Sequence, residues 1–217
     1  MKPDDSYLMT FASREEAGRD LGLRLAERNV RPDVVLGLPR GGVVVAAEVA
    51  RVLERPLGVL VVRKIGHPGH REYALGAIAE RDVLLLDESA MRESQLTRDD
   101  LDGVIAEETG RLRDYEERFH QAGEVDLAGK NVVIVDDGMA TGATAEAAVL
   151  SAKKQLAREV ILATPVASPD AVVRLQSVAN EVFALLIESD FMAVGNHYDY
   201  FPQITDDEVL TLLHDHA

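Results

Sequence analysis

Between Val132 and Thr144 the chain reads VVIVDDGMATGAT, an unbroken apolar run that ends on two adjacent carboxylates and a loop with glycines at 138 and 142. A short run that is apolar at every position suits a strand covered on both faces, as in a parallel sheet with helices above and below. The following stretch, Ala143 to Leu156, is rich in good helix formers. The segment therefore reads as strand, turn, helix.

The same grammar recurs on either side. Asp33 to Leu38 (DVVLGL) is stopped by Pro39, and Val43 to Leu53 has helical spacing. Leu57 to Arg63 (LGVLVVR) is a second buried-strand candidate, so the three segments form a βαβ unit with parallel strands. Further along come a strand over Glu159 to Thr164, a helix begun by Ser168 and Pro169, and a strand over Val182 to Ile187. The fold class predicted is α/β, a doubly wound and mostly parallel sheet flanked by helices, with a small hood or C-terminal subdomain. At 217 residues and 47% hydrophobic content, one domain over 1–217 is expected.

Other elements are placed by their caps. Ser13 and Glu16 have capping-box spacing ahead of the stripe Ala17, Leu21, Leu25, which predicts a helix to about Arg28. Thr97 and Asp100 open a long, half-exposed helix reaching about Gln121, and Thr205 with Glu208 open the last one. Val83 to Asp87 reads as a short strand. Lys64 to Arg71 (KIGHPGHR) has Gly, Pro and His but no apolar period, and reads as a mobile loop. The tail 190–217 carries Phe191, Tyr198, Tyr200 and Phe201, which serve either as stacking surface in a hood or as packing for the last helix.

A net charge of -15 and a pI near 4.8 exclude a general binder of nucleic acid or anionic membrane, since phosphates are repelled at long range. A phosphate ligand must then be held locally by amides, a metal ion or a few placed cations. With no cysteine, disulfides, thiolate metal sites and a cysteine nucleophile are excluded. The opening MKPDDSYLMT lacks the apolar run of a secretory signal, and no stretch approaches the roughly 20 apolar residues of a membrane span. A cytoplasmic location is expected.

In the Val132–Thr144 segment, the amides of Ala140, Thr141, Gly142, Ala143 and Thr144 can surround one phosphate at a helix N-terminus. Asp136 and Asp137 are acceptors, suited to two vicinal ribose hydroxyls or to water around magnesium. Donors for a phosphate beside acceptors for hydroxyls describe a ribose 5-phosphate. Here the sequence resembles the type I phosphoribosyltransferase family, whose hallmark is an apolar strand, two adjacent acids and a loop ending in Thr-Gly-x-Thr. Gly37 to Gly42 (GLPRGG) looks like that family's diphosphate-binding loop, with Pro39, Arg40, Gly41 and Gly42 as its binding residues. Arg63 and Lys64, followed by His67, His70, Arg71 and Glu72, stand where the family has basic residues and a flexible lid, here 64–72. The order from Asp33 to Ile187 also resembles a bacterial group described only as predicted phosphoribosyltransferases.

The resemblance implies transfer of ribose 5-phosphate from phosphoribosyl diphosphate to a small planar nitrogen acceptor. Asp136, Asp137, Arg63 and Lys64 would be catalytic, and Mg²⁺ would be carried mainly by the substrate's diphosphate and hydroxyls. No dedicated protein metal site is expected. The resemblance also suggests a homodimer. Family members acting on 6-oxopurines commonly have an acid where this chain has Ala140, so orotate- and adenine-type enzymes are more alike there. Two other readings stay open: a non-catalytic sensor of phosphoribosyl diphosphate or a nucleotide, and a phosphoacceptor receiver, in which the threonine loop would be unneeded.

Overall fold

A computed structural model of the chain describes residues 10–122 and 124–216. In chain order the elements are α1 (Arg14–Glu27), β1 (Val34–Gly37), α2 (Gly41–Leu53), β2 (Leu57–Val59), β3 (Val62–His67), β4 (His70–Ala79), β5 (Val83–Leu86), α3 (Glu88–Glu93), α4 (Arg98–Phe119), β6 (Asn131–Val135), α5 (Ala143–Lys154), β7 (Glu159–Ala167), α6 (Pro169–Gln176), β8 (Glu181–Ile187) and α7 (Asp206–Asp215).

Five strands form one parallel sheet in the order β2-β1-β6-β7-β8. The apolar runs explain themselves in this setting, because alternate residues of one strand enter two different cores. Val133 and Val135 of β6 face the side covered by α1, α2 and α7, whereas Val132 and Ile134 face the side covered by α5 and α6. Every position of β6 from Val132 onward is buried. A polar residue in that run would have no wet face to turn to.

The caps hold the helices where the sequence places them. Ser13 Oγ accepts from the Glu16 amide, and Ser168 Oγ accepts from the Ala171 amide with Pro169 in the first turn. Thr97 with Asp100 and Thr205 with Glu208 form capping boxes. β7 runs on past the expected Thr164 to Ala167 and β1 is trimmed by one residue at each end, and the other boundaries follow the expected ones within a few residues.

The segment after β2 departs from expectation. Leu57 to Arg63 is not one strand: β2 ends at Val59, and β3 begins at Val62 in a separate antiparallel sheet of order β3-β4-β5. The 64–72 segment, expected as an irregular lid loop, is mostly the β3–β4 hairpin, with bulges between Ile65, Gly66 and His67. Strand pairing supplies the backbone partners that local sequence did not advertise. The antiparallel sheet and α4 together form the hood. The tail instead packs: Val209 and Leu213 of α7 join the core, and Tyr198 is buried against Phe11 and Phe201. Of the four tail aromatics only Tyr200 is strongly exposed.

Candidate active site

In the parallel sheet β1 lies between β2 and β6, so the chain leaves β1 toward α2 on one face and leaves β6 toward α5 on the other. The two connections diverge and open a crevice at the carboxyl ends of the strands, where open α/β sheets bind ligands. Both motif loops border it.

The first loop, Leu38 to Gly42, contains a cis Pro39–Arg40 peptide bond and runs straight into α2 at Gly41. It lies directly against the acids of the second. A Cβ added to Gly41 would collide with Asp137 Oδ2, and one added to Gly42 would sit 2.9 Å from Asp136 Cα. Only glycine lets these backbones approach so closely.

The second loop is fastened from below. Met139 N–H donates to Val166 O at 2.9 Å, Ser168 N–H donates to Met139 O at 2.9 Å, and Ser168 Oγ donates to Ala140 O at 2.6 Å. Ser168 thus caps α6 and anchors the loop at once. Gly142, at φ +73°, turns the chain into α5. That helix has no side-chain cap at its N-terminus, which leaves its first-turn amides for a ligand beyond the long 3.4 Å contact from Ala143 N–H to Thr141 Oγ1. Ala140 and Thr141 are exposed, and Thr144 lines the crevice.

The acids are unequal. Asp137 turns inward, where Arg14 Nε donates to its Oδ2 at 2.8 Å and Tyr198 Oη donates to its backbone carbonyl at 2.5 Å. Arg14 is itself buried, stacked 3.6 Å over the Phe201 ring, and donates from Nη1 to Pro202 O at 2.8 Å. Asp136 accepts from the Asp137 amide at 2.9 Å and faces the crevice. Burial pushes the Asp136 carboxyl well above the usual carboxylate range, and the Asp137 charge adds to the push. Burial also raises Asp137, with Arg14 opposing it. Burial likewise raises the Tyr198 phenol. The pair resists a second negative charge until something brings positive charge or hydroxyl donors to it.

Opposite stands the hood. A cavity of about 680 Å³ is lined by Pro39 and Arg40, by Arg63, Lys64, Gly66 and Arg71 of the hairpin, by Glu107, Glu108 and Arg111 of α4, and by Asp136 and Thr144. That volume suits a small-molecule ligand. Arg63 grips Glu108 Oε2 with Nε at 2.9 Å and Nη2 at 2.8 Å, and Arg71 meets Glu107 at 2.6 Å. Arg40 reaches Asp206 at 3.5 Å. In a chain of net charge -15, this wall collects local cations, with Arg63, Arg71 and Arg111 paired to the Glu107 and Glu108 carboxylates beside them.

The structure therefore brings together Arg40, Arg63, Lys64, Arg71, Asp136 and Thr144. It does not bring in the two histidines. His67 accepts from the Gly69 amide at the hairpin tip, His70 is exposed, and neither lines the cavity. The Glu72 side chain lies outside the described residues. Sequence reasoning missed Arg14, Ser168, Glu107, Glu108 and Arg111. For Arg14 a signal existed, since it continues the Ala17, Leu21, Leu25 stripe by one turn and so had to be buried.

No group of three or more His, Cys, Asp or Glu side chains able to hold a metal occurs among the described residues. Asp136 offers its carboxylate at the crevice, with Asp137 turned inward behind it onto Arg14, a donor set that fits magnesium arriving with most of its ligands supplied by substrate oxygens and water. No helix among the described residues is long and apolar enough to cross a membrane.

Known proteins are similar to this chain in sequence and fold. The model of the phosphoribosyl transferase domain matches residues 15–200. Two Mycobacterium tuberculosis proteins, from strains CDC 1551 and H37Rv, each named "Putative phosphoribosyl transferase", are 45% identical over 94% of this chain. The chain spans about half of their length, 46%. The crystal structure of TT1426 from Thermus thermophilus is 44% identical and superposes with a TM-score of 0.79 over 96% of this chain and 100% of that one. A purine phosphoribosyltransferase from Pyrococcus horikoshii, 21% identical, shares the fold with a TM-score of 0.50 over 89% of this chain and 93% of its own. With its switch-point crevice, paired acids and Gly-rich loops, the chain belongs to the phosphoribosyl transferase domain family.

Proposed function

We propose that this protein transfers ribose 5-phosphate from phosphoribosyl diphosphate to a nitrogen acceptor and releases diphosphate. The observation that carries the reading is the crevice itself. It sets the uncapped N-terminus of α5 and Asp136, with Asp137 next to it in the chain, on one side, against Arg40, Arg63, Lys64 and Arg71 on the other.

In this reading the amides from Thr141 to Thr144 hold the 5-phosphate, with the helix dipole adding to the attraction. Asp136 and Asp137 accept from the two ribose hydroxyls and fix the sugar's orientation. Arg63, Lys64 and the Gly41 and Gly42 amides receive the diphosphate. As the bond between the anomeric carbon and the diphosphate oxygen breaks, the leaving group takes the electron pair and its charge is met by those donors. The acceptor nitrogen forms the new bond to carbon and gives up its proton. Negative charge on the acids favours the positive charge developing on the sugar ring. Magnesium, when bound through Asp136 or its water and the substrate oxygens, supplies further counter-charge for the diphosphate. Closure of the hood would exclude water from a readily hydrolysed centre.

The test is calorimetry of phosphoribosyl diphosphate with magnesium on the protein and on Asp136→Asn and Asp137→Asn, followed by a diphosphate-release assay against purines, pyrimidines and small amines. Binding lost in both variants, with release for some acceptor in the parent, supports the reading. Unchanged affinity in both variants refutes it. Tight binding with release for none of the acceptors favours a sensor of the same fold.

A further inference from the structure

The hood leaves the parallel core through Leu60 and Val61 and returns to it at His120, so its pose over the crevice depends on those two crossings as well as on the packing of β3, β4 and β5 against α5. One buried carboxylate touches both. Glu80, just past β4, is 5% exposed; its Oε1 accepts from the Val61 amide at 2.6 Å and lies 3.0 Å from His120 Nε2. The Glu80 backbone is tied down as well, its amide donating to Val61 O at 3.2 Å and its carbonyl accepting from Ser151 Oγ of α5 at 2.9 Å. His120 Nδ1 is buried without a hydrogen-bond partner among the described residues, so Glu80 is the group that holds the ring. None of these residues lines the crevice.

We propose that Glu80 and His120 are positioning residues, a charged clamp at the root of the hood that sets where Arg63, Lys64 and Arg71 stand over the crevice. The clamp joins the outgoing chain and the returning chain through the Glu80 side chain, and α5 through the Glu80 backbone carbonyl. Loosening it weakens the hood's hold at both crossings without touching the core sheet.

The charged groups around the ring fix how the clamp responds to pH. His120 is faced by Glu80, by Glu116 on α4 and by Glu124 beyond the 3-10 turn His120–Ala122, while Arg81 and Arg113 lie near Glu116 and Arg81 pairs with Glu124. The Glu80 hydrogen bond raises the His120 pKa against the opposing effect of burial. A raised histidine contributes stability that is complete below its unfolded value, about 6.5, and is lost as pH rises through the folded value. The hood should loosen on the alkaline side.

The test is native-state amide hydrogen exchange, corrected for intrinsic rates, at pH 6 and 9 on the ligand-free protein, so that it stands apart from any question of substrate. In the parent, opening of β3 and β4 should increase about tenfold more than that of β1 and β6 between the two pH values, as expected for one charge-assisted hydrogen bond. In His120→Gln the hood should already open about tenfold more at pH 6 and respond to pH no differently from the core. Glu80→Gln should behave alike; if it does not fold, His120→Gln decides alone. Equal pH responses of hood and core in the parent, or parent-like hood protection in His120→Gln at pH 6, overturn the proposal.

Discussion

Replacing Arg14 by Met keeps much of the side chain's length and removes its guanidinium. Three interactions go with it: the 2.8 Å bond to Asp137, the 2.8 Å bond to Pro202 O and the stacking 3.6 Å over Phe201. Arg14 is 6% exposed, so Asp137 would be left as a buried carboxylate beside a second acid. Breaking a buried pair from one side costs about 3–5 kcal/mol. Protonation of Asp137 recovers part of that at low pH. Its pKa is already raised by burial and rises further without Arg14, so the folded protein binds a proton that the unfolded chain does not. Stability then falls as pH rises through the window above the unfolded value, about 3.9. Urea denaturation should show a small loss at pH 5 and close to the full loss at pH 8. Adding Asp137→Asn should return most of it at pH 8. An equal loss at both pH values, or a double variant no more stable than Arg14→Met, refutes the assignment of Arg14 as the counter-charge of Asp137.

Three other substitutions have distinct signatures. Asp136→Asn should stabilise the ligand-free protein by about 1 kcal/mol at pH 8, as a functional group held against its preference does. The gain should shrink toward pH 5, because the raised acid costs stability only as pH climbs, and thermal denaturation at the two pH values would read it. Gly42→Ala forces a methyl to within 2.9 Å of Asp136 Cα and Val135 O, and should cost about 1–3 kcal/mol in chemical denaturation while weakening diphosphate binding. Thr144→Ala should leave the denaturation midpoint nearly unchanged and weaken ribose 5-phosphate binding roughly tenfold by calorimetry, the worth of one hydrogen bond to a charged group.

The parallel core was legible because its strands are apolar on both faces. VVIV at 132–135 has no wet side, and Ser168–Pro169 and Thr205–Glu208 mark helix starts by local chemistry alone. The hairpin over 62–79 was not legible in the same way. KIGHPGHR is polar and Gly-rich, and it becomes strand only through pairing with a partner in a second sheet. The short α3 buries none of its residues, so it left no apolar stripe to read. The candidate site divides along the same line. Asp136, Asp137 and the Gly loops are contiguous motifs, whereas Arg14 meets Asp137 across 123 positions of sequence, and Glu108 meets Arg63 across 45. Long-range ion pairs leave no local pattern beyond a charged residue on a buried stripe.

A crystal structure of the protein soaked with ribose 5-phosphate addresses the corner between β6 and α5 most directly. The phosphate should lie about 2.7–3.2 Å from the amides of Thr141 to Thr144, with the sugar hydroxyls on the Asp136 and Asp137 carboxylates. A phosphate held instead by Arg63 or Arg71, with that corner unbound, would contradict the account.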